Sequence, residues 1–171
     1  YAYADSPLPI GQDQTISQPY VVAWMIEALE PTPEDRVLEV GTGSAYGAAV
    51  LSRIVRIVYT IERHKELAAA AERRLAELGY ANVQVRHGDG TLGWPEEAPF
   101  DGIVVTASGP QIPRPLREQL SVGGRLVIPV GQTASSQELV RLHRISETET
   151  RRENLGSVRF VPLVGKGGWN G

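Results

Sequence analysis

Two glycines and two acids are spaced as a nucleoside site needs them. Gly41 and Gly43 lie in "VLEVGTGSAYGAAVL" (37–51), where an apolar strand runs into a turn and then a helix. Backbone can approach a ligand closely at such glycines, and the helix N-terminus offers free N–H donors. Glu62 closes the next strand, where a carboxylate can take both hydroxyls of a ribose. Asp89, in "HGDG" (87–90), closes the third strand, where it can accept a hydrogen bond from an adenine amino group. Each acid alone reads as a solvated loop residue. Three consecutive strand ends, each meeting one part of an adenosine, are the stronger reading.

The choice then lies between a dinucleotide and S-adenosylmethionine. The pattern G-x-G-x-x-G would put glycine or alanine at position 46, to let the helix pack closely around a pyrophosphate. That position is Tyr46. Glu39, inside the first strand, also fits a pyrophosphate poorly, whereas a carboxylate there can bind a methionine amino group, directly or through water, or brace the loop. The expected cofactor is therefore S-adenosylmethionine, leaving as S-adenosylhomocysteine.

A parallel sheet must position these groups. Strands are expected at 36–40, 57–62, 83–88, 100–107 and 124–130, with helices at 21–29, 45–54, 64–79 and about 112–120 between and before them. Such alternation implies right-handed crossovers and ligand binding at the carboxyl ends of the strands. Segments 137–146 and 157–165 flank a charged turn and read as an antiparallel pair. The first twenty residues, rich in proline, glycine and polar groups, read as a long ordered loop. The expected fold is α/β, a Rossmann-like methyltransferase with a mostly parallel sheet and an antiparallel C-terminal pair. It is read as one domain over 1–171, with an N-terminal loop and helix (1–35), a nucleoside-binding core (36–131) and a C-terminal hairpin (132–171).

Composition narrows the function classes. The absence of cysteine removes disulfides, thiolate metal sites and cysteine nucleophiles, and favours a cytoplasmic location. The three histidines are not spaced to share a metal, so no metal is expected. A net charge of −3 without a basic stripe argues against nucleic acid as partner. No apolar run approaches the roughly 20 residues that cross a bilayer, and the N-terminus does not read as a signal peptide. A monomer is expected.

The acceptor is read partly from what the fourth strand end lacks. It carries "VTASGP" (105–110) rather than the Asp/Asn-Pro-Pro-aromatic motif of enzymes that methylate base amino groups. No histidine stands at an obvious base position. A carboxylate acceptor needs no base, because its reference pKa of about 4 leaves it ionised at neutral pH. A hydroxyl and a few N–H groups suffice to orient it, and Thr15 and Ser17 of the N-terminal loop could serve.

The segments "PLPIGQDQTISQPYVVA" (7–23), "VLEVGTGSAYGAAVL" (37–51), "VYTIER" (58–63), "HGDGTLGWPEEAPFDGIVVTA" (87–107), "GGRLVIPVG" (123–131) and "VRFVPLVG" (158–165) together resemble the protein-L-isoaspartate O-methyltransferases. The TIS loop and the VRFVPL tail are the most specific parts. The resemblance implies methyl transfer to the free α-carboxylate of L-isoaspartyl residues, in peptides and proteins damaged by asparagine deamination or aspartate isomerisation. It implies Ser17 at the active-site serine position, where helix N-capping is the structural alternative. The implied cofactor set is Thr15, Ile16, Glu39, Gly41, Thr42, Gly43, Ser44, Glu62, Arg63, Asp89, Gly90 and Thr106. Pro7, Ile10, Ser17, Val158 and Phe160 are the implied substrate contacts, with a place in the core as the competing reading for Phe160.

The family usually carries a further helical segment before the point where this chain begins. Asp13 and Ala45 stand where glycine is common, and Gly47 where a longer polar residue is common. Ala45 is expected at the helix start with negative φ, its methyl clear of the cofactor. Two alternatives remain open: an aspartate carboxyl methyltransferase acting on one dedicated peptide, and a relative that binds the cofactor without transfer. A nicotinamide oxidoreductase is more distant.

Overall fold

The computed structural model describes residues 4–170, so residues 1–3 and 171 of the expected domain lie outside the described residues. The chain opens with β1 (Leu8–Gly11), β2 (Gln14–Ile16) and α1 (Pro19–Leu29), followed by β3 (Arg36–Val40), α2 (Tyr46–Ser52) and β4 (Ile57–Glu62). It continues through α3 (Lys65–Glu77), β5 (Val83–His87), β6 (Phe100–Val105), α4 (Arg114–Glu118) and β7 (Leu120–Thr133). The last strands are β8 (Ser136–Arg144) and β9 (Thr150–Val158).

Seven strands form one sheet in the order β5-β4-β3-β6-β7-β8-β9. The strands from β5 to β7 run parallel, and β8 and β9 add antiparallel. Alternate side chains point to opposite faces. Val37, Val104 and Val127 meet Met25, Ile26 and Leu51 of α1 and α2 on one face. Leu38, Ile103 and Leu126 meet Leu116 of α4 on the other. Strands buried on both faces are continuous in apolar residues, which is why RVLEV, IVYTIE and FDGIVV stand out in the sequence.

Three expectations are corrected. The N-terminal segment is a hairpin, with Leu8 paired to Ile16 and Pro9 to Thr15. Its turn places Gln12 and Asp13 at φ of 53° and 55°, the left-handed pair that a two-residue hairpin turn requires. Gln-Asp does not carry the Asn-Gly signal of such turns, so the sequence reads as loop.

At the other end, β9 covers "TRRENLGSV", the stretch read as a charged turn, and pairs Val158 with Gln137 and Thr150 with Arg144. An edge strand leaves one row of backbone groups and many side chains in water, so it tolerates charges. Residues 159–165 leave the sheet instead of forming its last strand, and Ser108 N–H donates to the Val161 carbonyl at 2.7 Å.

Boundaries shift as well. α1 begins at Pro19, where a missing N–H costs nothing, and α4 is shorter and β7 longer than expected.

Candidate active site

A cavity of about 960 Å³, its open mouth included, lies at the carboxyl ends of β3, β4 and β6. β3 lies between β4 and β6; the chain leaves β3 toward β4 on one side and leaves β6 toward β7 on the other, and the two diverging connections open a crevice. The β1–β2 hairpin covers one side, with Ile10, Thr15, Ile16 and Ser17 on the wall.

The loop after β3 is shaped by its glycines. Gly41 has φ of +99°, and a Cβ there would fall on the Thr106 hydroxyl. That hydroxyl donates to the Gly41 carbonyl at 2.9 Å and ties the loop to β6. Gly43 N–H donates to Glu62 Oε2 at 2.9 Å, and His64 N–H donates to Oε1 at 2.9 Å. Each oxygen of this buried carboxylate thus has one backbone donor and further acceptor capacity facing the cavity. The two oxygens can accept from two vicinal hydroxyls without losing the bonds that orient them.

Glu39 lies one layer deeper, with 2% exposure. Parallel pairing sets it beside Thr60, whose hydroxyl donates to Oε1 at 2.7 Å and contacts the Thr42 hydroxyl at 2.6 Å. Its other oxygen fills the space that a side chain at Gly47 would need. Burial pushes the Glu39 carboxyl up to about 8; the Thr60 bond opposes that shift and the nearby Glu62 adds to it.

Asp89 carries more internal bonds than Glu62. Its Oδ1 accepts from Thr91 N–H at 2.9 Å and from the Thr91 hydroxyl at 2.7 Å, and its Oδ2 accepts from Lys166 N–H at 2.9 Å. Burial raises the Asp89 carboxyl, but these three bonds and Arg63 together hold it below the ordinary carboxylate value. At this strand end Gly90, rather than Asp89, lines the cavity.

Ala45 departs from expectation, with φ of +72°. The chain must turn from extended strand into α2 within a few residues, and this position takes the left-handed step. The strain, about 1–2 kcal/mol for a residue with a Cβ, is offset in part by burying the methyl against Ala71 and Leu75, worth about 0.8 kcal/mol. The methyl points to α3 and stays out of the cavity, as expected.

The remaining expected residues divide. Thr15, Ile16, Thr42, Ser44, Arg63 and Thr106 line the cavity, as do Ile10 and Ser17. Ser17 does not cap α1, whose N-cap is Gln18. Pro7, Val158 and Phe160 are not on the cavity wall. Phe160 is buried in the core, and Val158 packs against that core at the end of β9. Residues 161–164 take the place expected of these two, because the chain turns inward after leaving the sheet. The motif VRFVPL marks the right segment, but its second half carries the wall. His64 and Tyr46 also line the cavity. His64 was legible from its place beside the Glu62 strand end, and Tyr46 from its place at the first turn of α2.

The arrangement fits S-adenosylmethionine group by group: glycine backbone, a diol acceptor at Glu62 and a buried acid at Glu39. Among the described residues no cluster of His, Cys, Asp and Glu could hold a metal, and no helix is long and apolar enough to cross a membrane.

Comparison with known proteins agrees with this geometry. The chain is 63% identical over 168 residues to protein-L-isoaspartate O-methyltransferase 2 of Pelobacter propionicus, covering 98% of this chain and 75% of that protein. It is equally similar to protein-L-isoaspartate O-methyltransferase 1 of Geotalea uraniireducens, with 98% and 77% covered. A solved protein-L-isoaspartate O-methyltransferase superposes with a TM-score of 0.90 at 30% identity, covering 98% of this chain and 55% of that longer one. A putative enzyme of the same name from Plasmodium falciparum, solved with S-adenosyl-L-homocysteine, gives a TM-score of 0.77 at 27% identity, covering 95% and 81%. The profile of one family matches residues 1–168, and this chain belongs to it: protein-L-isoaspartate(D-aspartate) O-methyltransferase.

Proposed function

We propose that this protein transfers a methyl group from S-adenosylmethionine to the free α-carboxylate of L-isoaspartyl residues in damaged proteins, which begins their repair. The observation that carries the reading is the cavity itself. The TIS segment at the end of the hairpin and the glycine loop with Glu62 both line it.

S-adenosylmethionine supplies an electrophilic methyl on a sulfonium. Glu62 would hold the ribose diol, and Gly41 and Gly43 would let backbone approach the amino-acid end. Ser17 donates its hydroxyl to the acceptor carboxylate, with hairpin N–H groups beside it. The acceptor is already an anion at neutral pH, so the site needs no general base. The protein's work is to align one carboxylate oxygen with the methyl and to exclude water, and such positioning can contribute about 7–11 kcal/mol. The carboxylate oxygen gains the methyl as the carbon–sulfur bond breaks. Attack by the neighbouring backbone nitrogen then expels methanol and leaves a succinimide. We further propose a cytoplasmic monomer with no nucleic-acid or membrane partner, the oligomeric state to be read from its solution mass.

Incubation with labelled cofactor and an isoaspartyl peptide beside its normal aspartyl twin tests the proposal. Label is expected on the isoaspartyl peptide alone; equal labelling of both, or of neither, contradicts it.

A further inference from the structure

Glu39 is a buried carboxylate without a counter-ion among the described residues. Its one hydrogen-bond donor among them is the Thr60 hydroxyl, on β4. Among the described residues the neighbouring elements contribute no cation beside it: α1 presents Val22, Met25 and Ile26, α2 presents Gly47 and Leu51, and β6 presents Val104, with Thr106 just beyond its end. The titratable groups that share its cavity are Glu62, Arg63, His64 and Tyr46. Of these, Glu62 acts on it directly, with the same sign of charge. An ionised carboxylate so placed pays desolvation with no ion pair in return.

Gly47 makes this placement possible. A Cβ at position 47 would coincide with Glu39 Oε2, and the carboxylate lies in the slot that the missing side chain leaves beneath the first turn of α2. The slot opens on the cofactor cavity, since Glu39 and Gly47 both line it.

We propose that Glu39, seated by Gly47, is a proton-exchanging holder of the cofactor's amino group: it carries a proton in the free protein and releases it to solvent on cofactor binding. The inference rests on the cofactor reading above. Thr60 remains bonded to Oε1, and the vacated proton position on Oε2 becomes the acceptor for an ammonium N–H. One O–H bond breaks, one proton leaves to water, and the carboxylate becomes half of an ion pair. Gly47 acts only through Glu39 and is a positioning residue.

Calorimetric titration of S-adenosylhomocysteine, in two buffers of different ionisation enthalpy, counts the protons. At pH 7 about 0.9 proton should leave per cofactor bound, given a Glu39 value of about 8. The wild-type affinity should rise about tenfold from pH 6 to pH 7 and fall again at alkaline pH, where the cofactor's own amino group loses its proton. Glu39→Gln should bind more weakly and release no proton, which separates Glu39 from His64 and Glu62. Gly47→Gln should push the carboxylate into the wet cavity and cut the release to below about a third of a proton.

Binding by the wild type with no proton released, or with an affinity flat from pH 6 to pH 8, overturns the proposal. An unchanged proton count in Gly47→Gln overturns the role of the slot. Complete absence of binding by the wild type would instead overturn the cofactor reading beneath it. If Glu39→Gln fails to fold, the wild-type pH series decides.

Discussion

Glu62 ends β4 and Asp89 lies two residues beyond the neighbouring parallel strand β5, and both read in the sequence as strand-end carboxylates, yet the fold bonds them differently. Glu62 keeps one backbone donor on each oxygen and turns its remaining acceptor capacity to the cavity. Asp89 gives both acceptor positions of Oδ1 to Thr91 and one of Oδ2 to Lys166 N–H in the chain's own tail, so a single position on Oδ2 is left. The position of a strand end therefore says that a carboxylate can reach a ligand, but not that it is free to. What decides is the rest of the hydrogen-bond account, and for Asp89 the deciding donor lies 77 residues away in the chain.

The largest effect should come from the open acid. Glu62→Ala removes two charge-assisted acceptors, each worth about 1.5–3 kcal/mol, so affinity for S-adenosylhomocysteine should fall by about 100-fold or more. Calorimetry checks this, and a loss below tenfold would place the ribose elsewhere. Next comes Gly41→Ala, where φ of +99° and the Thr106 hydroxyl both oppose a methyl. A destabilisation of about 1–3 kcal/mol in denaturant unfolding is expected, with at least about tenfold weaker cofactor binding.

The closed acid should behave differently. Asp89→Ala should cost about 1 kcal/mol of stability, as loss of a cap does, and weaken cofactor binding by less than about fivefold. Its carboxyl is held below the ordinary value in the folded state. Its contribution is therefore present above the unfolded value of about 4 and lost as pH falls through the folded one. Acid unfolding of the variant should accordingly be less steep below about pH 4, by a modest amount because the group is only partly buried.

Ala45→Gly should do least. It relieves the left-handed strain of about 1–2 kcal/mol but gives up a buried methyl and some chain stiffness, so stability should change by less than about 1 kcal/mol. Cofactor affinity should not move.

What the sequence makes legible is short in range. Gly41, Gly43 and Glu62 are readable because strand, turn and helix follow one another, and the turn must take a glycine where Thr106 comes close. The parallel sheet is readable because strands buried on both faces are continuous in apolar residues. The N-terminal hairpin is not readable, because Gln12 and Asp13 adopt φ values that their types do not announce. Nor is β9, because an edge strand may be as charged as a turn. The cavity wall at residues 161–164 depends on where β9 ends, so an error in that strand shifts the expected contacts to Val158 and Phe160. Ala45 shows the limit at single-residue scale. Its type suggests helix, while the turn it completes demands the left-handed region.

The contrast between the two acids is tested most directly by a crystal structure of this protein with S-adenosylhomocysteine. The account predicts both ribose hydroxyls on the Glu62 oxygens and the Lys166 N–H still on Asp89. An Asp89 carboxylate that has left Lys166 and bonded the adenine amino group, or a ribose that does not touch Glu62, would contradict it.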